Sequence, residues 1–179
     1  MADAIITRRW RYRVLFFVAC GVIMFFRLLP IDIGPGGLPG PDWMLLLGCA
    51  FVVRRPDYLP VWLAAIVYLL ADVMFLRPLG LWAAITVLGL EFLRARQAVS
   101  RELPFMVEWA MLAGVIVAMT LANALILAVF VVSQPPLGLS LIHMIATILA
   151  YPLVVLFSSK VLGLRKMAPG EVDQLGHRL

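Results

Sequence analysis

The 179 residues are 64% hydrophobic and only 14% charged, with a mean hydropathy of +1.02, whereas a soluble domain is about half apolar and a quarter charged. This composition predicts an all-α integral membrane protein with one compact membrane domain and leaves no run of soluble residues long enough to fold separately. The net charge of +5 comes from short basic clusters beside apolar runs, a placement that argues against a nucleic-acid surface; these cations mark topology and contact anionic lipid headgroups.

In chain order, residues 1–13 form a basic, cytoplasmic N-terminus carrying Arg8, Arg9, Arg11 and Arg13. A first apolar segment from about Val14 to Leu29 ends in Phe25-Phe26-Arg27-Leu28-Leu29-Pro30. That ending lacks the small-x-small cleavage pattern of a secretory signal, so the segment reads as an uncleaved first helix. The Gly/Pro-rich stretch Gly34 to Pro41 cannot continue a helix and is expected to be an external loop. The second segment, Trp43 to Val53, is short: its 11 residues reach roughly 16 Å, about half the hydrocarbon thickness.

After it comes the charged, proline-bounded loop Arg54-Arg55-Pro56-Asp57-Tyr58-Leu59-Pro60, which introduces a third segment, Pro60 to Leu76, bearing Asp72. That segment ends at the turn Arg77-Pro78-Leu79-Gly80, and the fourth runs from Leu79 to Leu93. Ala95 to Pro104 reads as an internal, basic loop, Phe105 to Val132 as the fifth segment, and Ser133-Gln134-Pro135-Pro136 as an external turn. The sixth segment, Leu137 to Leu162, contains Pro152, which frees a backbone carbonyl and predicts a kink. The membrane domain is thus expected over 14–166, with a cytoplasmic tail over 167–179. If all six segments cross with the N-terminus inside, 13 of the 15 positive residues are cytoplasmic and only Arg27 and Arg77 are external. If the short segment does not cross, the balance inverts, so the positive-inside bias favours six crossings. Trp10, Trp43, Trp62, Trp82 and Trp109 fall near segment ends, as an interfacial belt would. Cys20 and Cys49 lie inside apolar runs and read as packing residues.

Few residues on the spans can carry chemistry. A carboxylate at mid-bilayer costs roughly 2.5 to 3.5 kcal/mol and normally faces protein or water, which singles out Asp72. Arg27 and His143 lie at a similar depth, so the three can meet as one polar cluster. The competing readings are a snorkelling Arg27, a solvated Asp72 beside Arg77, and a His143 bonded to a backbone carbonyl. Asn123 reads as a packing residue able to bond across helices, Glu91 as a partner of Arg94, and Glu108 as a marker of the inner end of the fifth helix. No His-Glu-x-x-His, paired aspartates or Gly-x-Ser-x-Gly occurs, which argues against intramembrane hydrolysis; no enzyme activity, cofactor or metal is expected.

The order of features resembles the rod-shape-determining membrane protein MreD family. The matching residues are Pro41-Asp42-Trp43-Met44-Leu45-Leu46-Leu47, the loop Arg54 to Pro60 with Pro56, then Asp72 before Pro78-Leu79-Gly80, and Tyr151-Pro152 in the last helix. The sequence departs from the family at Tyr68 and Leu76, where glycines are common, and at Arg77, where a small residue is common. The resemblance implies a non-enzymatic inner-membrane scaffold of the cell-elongation machinery, similar in fold to the six-helix substrate-binding subunits of energy-coupling-factor transporters. Its implied partners are MreC and, through the same assembly, RodA, a class B penicillin-binding transpeptidase and MreB; oligomeric state is left open. An alternative is a subunit that holds a vitamin or metal for transport. The sparse polar and aromatic content of Ile31 to Pro41 argues against it, as does Ile23 four residues after Ala19 in place of a small residue.

Overall fold

In an apolar run, a helix satisfies the backbone N–H and C=O groups within its own segment, and the described apolar runs of this chain take that solution. The computed structural model describes residues 2–29, 39–96, 104–132 and 134–160. Among these are six α-helices and no strand: α1 (Ala2–Leu28), α2 (Trp43–Arg54), α3 (Val61–Met74), α4 (Leu81–Ala95), α5 (Phe105–Val129) and α6 (Leu137–Lys160), with a 3-10 turn at Pro56–Tyr58. The expected loop from Gly34 as far as residue 38, the basic stretch 97–103, Ser133 and the chain from residue 161 lie outside the described residues. Two helices, α5 and α6, are long and apolar enough to cross a membrane, while α2 and α3 are shorter apolar helices.

The helices fall where the apolar segments predict them, with one difference. α1 begins at Ala2 instead of near Val14, so the basic stretch is helical. No Gly or Pro interrupts it before Gly21, and arginine is a good helix former. Arg13 and Arg11 lie over the rings of Trp10 and Tyr12 at 5.4 and 5.6 Å, covering aromatic surface with their guanidinium groups.

Successive helices alternate in direction. The end of α1, the start of α2, the end of α3, the start of α4, the end of α5 and the start of α6 come together at one end of the bundle. The opposite end gathers Tyr12, Tyr58, Leu59, Arg94, Glu108 and Tyr151. The short α2 lies in the middle, in contact with α1, α4 and α6. Every residue from Met44 to Arg54 is buried, as expected of a helix apolar on all sides. Its length is therefore that of a core rod. α1 is fixed against it and the following turn by Phe16 on Phe51, edge to face at 5.1 Å, and by Tyr12 stacked on Tyr58 at 4.3 Å.

Tyr68 and Leu76, where the resemblance led us to expect glycine, have different structural consequences. The Tyr68 ring is accommodated by a glycine on the facing helix: its hydroxyl donates to the Met44 carbonyl at 3.0 Å, directly over Gly48, where any Cβ would collide with it. Close approach survives because the small residue stands on α2. Leu76 has φ +52° and follows the α3 C-cap. The Arg77 N–H bonds the Asp72 carbonyl at 3.0 Å and the Leu76 N–H reaches Val73 at 3.4 Å, the double closure of a Schellman motif. Val131, at φ +53°, closes α5 the same way through Val132 to Leu127 and Val131 to Ala128. Glycine is usual at this position because a side chain there costs about 1–2 kcal/mol. Both residues are almost fully exposed, at 94% and 91%.

Candidate functional site

Most of the polar side-chain contacts between the helices lie at the two ends of the bundle. At the first end, Gly80 is the N-cap of α4 at φ +80° and has no side chain to offer the orphan N–H groups behind it. Asp72 supplies that function from α3. Its Oδ2 accepts the Ala83 N–H at 3.0 Å, and the side chain is fully buried. A carboxylate at a helix N-terminus also meets the positive end of the helix dipole. Asp72 therefore locks the α3–α4 hairpin, and Gly80 makes room for it.

Arg27 does not join Asp72. Its Nη1 lies 3.9 Å from Oδ1 of Asp42, and its guanidinium sits 4.9 Å above the Phe75 ring. With 37% of its side chain exposed, it reaches water while covering apolar surface. Asp42 is the residue the sequence reading left in the background, and it is buried. Its Oδ1 accepts the Leu45 N–H at 3.2 Å, capping α2, and its own N–H donates to Thr147 Oγ1 at 3.0 Å. Three helices thus meet on one residue. The signal was Asp directly before an apolar run, an N-cap pattern. His143 follows the simpler of its two expected roles: Nδ1 donates to the Gly40 carbonyl at 2.6 Å, because a carbonyl can only accept. It holds α6 against the entry to α2.

Arg77 also lies over the Phe75 ring, at 5.4 Å, and is 5.6 Å from the Trp82 ring. Burial pushes its guanidinium below the usual arginine range; Asp42 opposes this and Arg27 adds to it. Beside Arg77, a cavity of about 330 Å³ opens between α4, α5 and α6, with Trp82, Asn123, Gln134, Ser140 and His143 in its wall. Asn123 thus faces a cavity and has no hydrogen-bond partner among the described residues.

At the second end, Tyr151 donates to Glu108 Oε1 at 2.7 Å, and both are buried. Arg54, also buried, acts electrostatically on the same hydroxyl. Arg55 closes α2 through its N–H on Phe51 at 2.8 Å, Pro56 opens the 3-10 turn and Pro60 is the N-cap of α3. Arg94 donates to the Leu59 carbonyl between them and pairs with Glu91 at 3.2 Å. Glu108 is therefore more than an end marker.

Pro152 lies inside α6 and cannot bond the carbonyl four residues back, that of Ile148. The Trp109 indole N–H takes that carbonyl at 2.9 Å. Trp109→Phe should then leave it unpaired and destabilise the protein by about 1–2 kcal/mol. Pro152→Ala restores the internal bond, so in that background the Trp109→Phe cost should fall by at least half. A double-mutant cycle by unfolding in a fixed detergent measures this; additive losses would show that the indole acts by packing alone.

Among the described residues, no three His, Cys, Asp or Glu side chains converge as a metal-binding group. No protein-family model, curated protein or solved structure matches the chain.

Proposed function

We propose that this chain is a non-enzymatic scaffold of the bacterial inner membrane, of the MreD kind. In this reading all six helices cross the bilayer, both termini are cytoplasmic, and the polar end with Asp42 and Asp72 faces outward. The scaffold acts in lateral peptidoglycan synthesis by binding MreC and, through the same assembly, RodA, a class B penicillin-binding transpeptidase and MreB. The order of motifs from Pro41 to Pro152 supports it.

The observation that carries the reading is how the helices divide their surfaces. α2 is spent as core, whereas only 28% of the most apolar window of α5 and of α6 is buried. Leu121, Leu125 and Val129 on α5, and Leu149 and Leu153 on α6, stand on open helix faces. The polar contacts at both ends fix helices to one another, leaving these faces for lipid or for another membrane helix.

The test is depletion of the protein in its own bacterium while cell outline and sites of new peptidoglycan are followed, with uptake of vitamins and metals measured in parallel. Rounded cells, dispersed lateral wall synthesis and normal uptake are expected. Unchanged shape with a lost uptake activity would replace this reading by a transporter subunit.

A further inference from the structure

The cavity beside Arg77 contains polar groups that the fold does not use. The Arg77 guanidinium is held against Phe75 and Trp82, with no carboxylate at ion-pair distance among the described residues. The Asn123 amide and the Ser140 hydroxyl line the same cavity, and neither has a hydrogen-bond partner among the described residues. Gln134 spends one N–H on the Ala124 carbonyl at 3.0 Å and keeps its amide oxygen. The nearby carboxylates are committed elsewhere, Asp72 to the Ala83 N–H and Asp42 to Leu45 and Arg27, and neither lines the cavity. Among the described residues, Arg77 is the only Arg, Lys, Asp or Glu in its wall.

A partly buried guanidinium with unspent donors selects an anion, and its planar fork suits phosphate. The neutral amides and hydroxyl beside it suit hydroxyl groups. We propose that this cavity binds a phosphate ester bearing hydroxyl substituents, with Arg77 on the phosphate and Asn123 and Ser140 on the hydroxyls. Its volume, about 330 Å³, fits a headgroup and not a whole lipid. Apolar residues complete the lining, among them Leu76 at 94% and Val132 at 41% exposure. This is where the glycerol and first methylenes of a lipid would lie. A soluble sugar or glycerol phosphate shares the polar part. The site stands independently of the scaffold role.

The test uses the full chain purified in a neutral detergent, with binding read by native mass spectrometry and by ligand-induced shifts of the unfolding midpoint. The probes are phosphatidylglycerol, phosphatidylcholine and glycerol 3-phosphate. Phosphatidylglycerol or glycerol 3-phosphate should bind at least tenfold more weakly to Arg77→Gln and to Asn123→Leu, which fills the cavity and keeps the charge. Phosphatidylcholine should show no such difference. Phosphatidylglycerol binding that soluble glycerol 3-phosphate cannot displace assigns a lipid; displacement at similar concentration assigns a soluble ester. Unchanged binding of both anionic probes in both variants overturns the site. If Arg77→Gln does not fold, Asn123→Leu decides by the same readout.

Discussion

Asp72→Leu is expected to destabilise the protein by about 2 kcal/mol in a fixed detergent, and Asp72→Asn by less than about 1 kcal/mol. Leucine leaves the Ala83 N–H without its acceptor in an apolar setting, a loss of about 1–3 kcal/mol. It also removes a carboxylate from the start of α4, worth up to about 2 kcal/mol in partly buried geometry. Against these stands the relief of no longer burying a polar group, which brings the net below the sum. Asparagine keeps an oxygen for Ala83, and its amide nitrogen takes the place of Oδ1, which has no hydrogen-bond partner among the described residues and so loses none. Equal, near-wild-type unfolding midpoints for both variants would remove Asp72 as the lock of the hairpin. Because the lock acts on the α3–α4 turn, proteolysis between residues 75 and 80 should accelerate in Asp72→Leu before it does elsewhere.

The second large effect is expected at Gly48. Gly48→Ala places a Cβ against the Tyr68 hydroxyl, with the ring carbon Cζ at 3.3 Å and Leu90 Cδ1 at 3.5 Å behind it. The ring is fully packed and its hydroxyl is tied to Met44, so neither can yield freely. Overpacking of this kind costs about 1–3 kcal/mol, more than the roughly 1 kcal/mol that alanine gains over glycine in a helix. Tyr68→Phe alone loses one hydrogen bond, about 1 kcal/mol. In combination the two should cost clearly less than their sum, because the phenylalanine ring lacks the atom nearest the new methyl group. Strict additivity in the cycle would show that α2 and α3 do not meet through this pair.

The boundaries of α2 to α6 are legible in the sequence because Pro, Gly and charge punctuate an otherwise apolar chain. The short second segment is legible as a helix but not as the core, since a run apolar on all faces looks the same against lipid as against protein. Asp72 stands out because a carboxylate in such a run is costly; the N–H group it serves belongs to another helix and has no sequence signature. The missing partner of Arg27 is Asp42, which reads locally as a cap while its further contacts depend on tertiary placement. Pro152 announces a free carbonyl, that of Ile148, but Trp109, 39 positions before Ile148, is visible as its donor only in three dimensions. Leu76 reads in the sequence as the loss of a packing glycine, whereas its backbone angle shows that the position serves a turn in this chain.

The Asp42–Thr147 contact joins residues 105 positions apart, and this span bears on how the protein is made. The α3–α4 hairpin can fasten as soon as Ala83 has emerged, because its lock spans 11 positions. The central rod is synthesised second yet receives one of its fastenings from the last helix. Until α6 leaves the ribosome, α2 is a short apolar helix with an unfinished seat, because the Asp42 N–H at its entry lacks the acceptor that Thr147 later supplies.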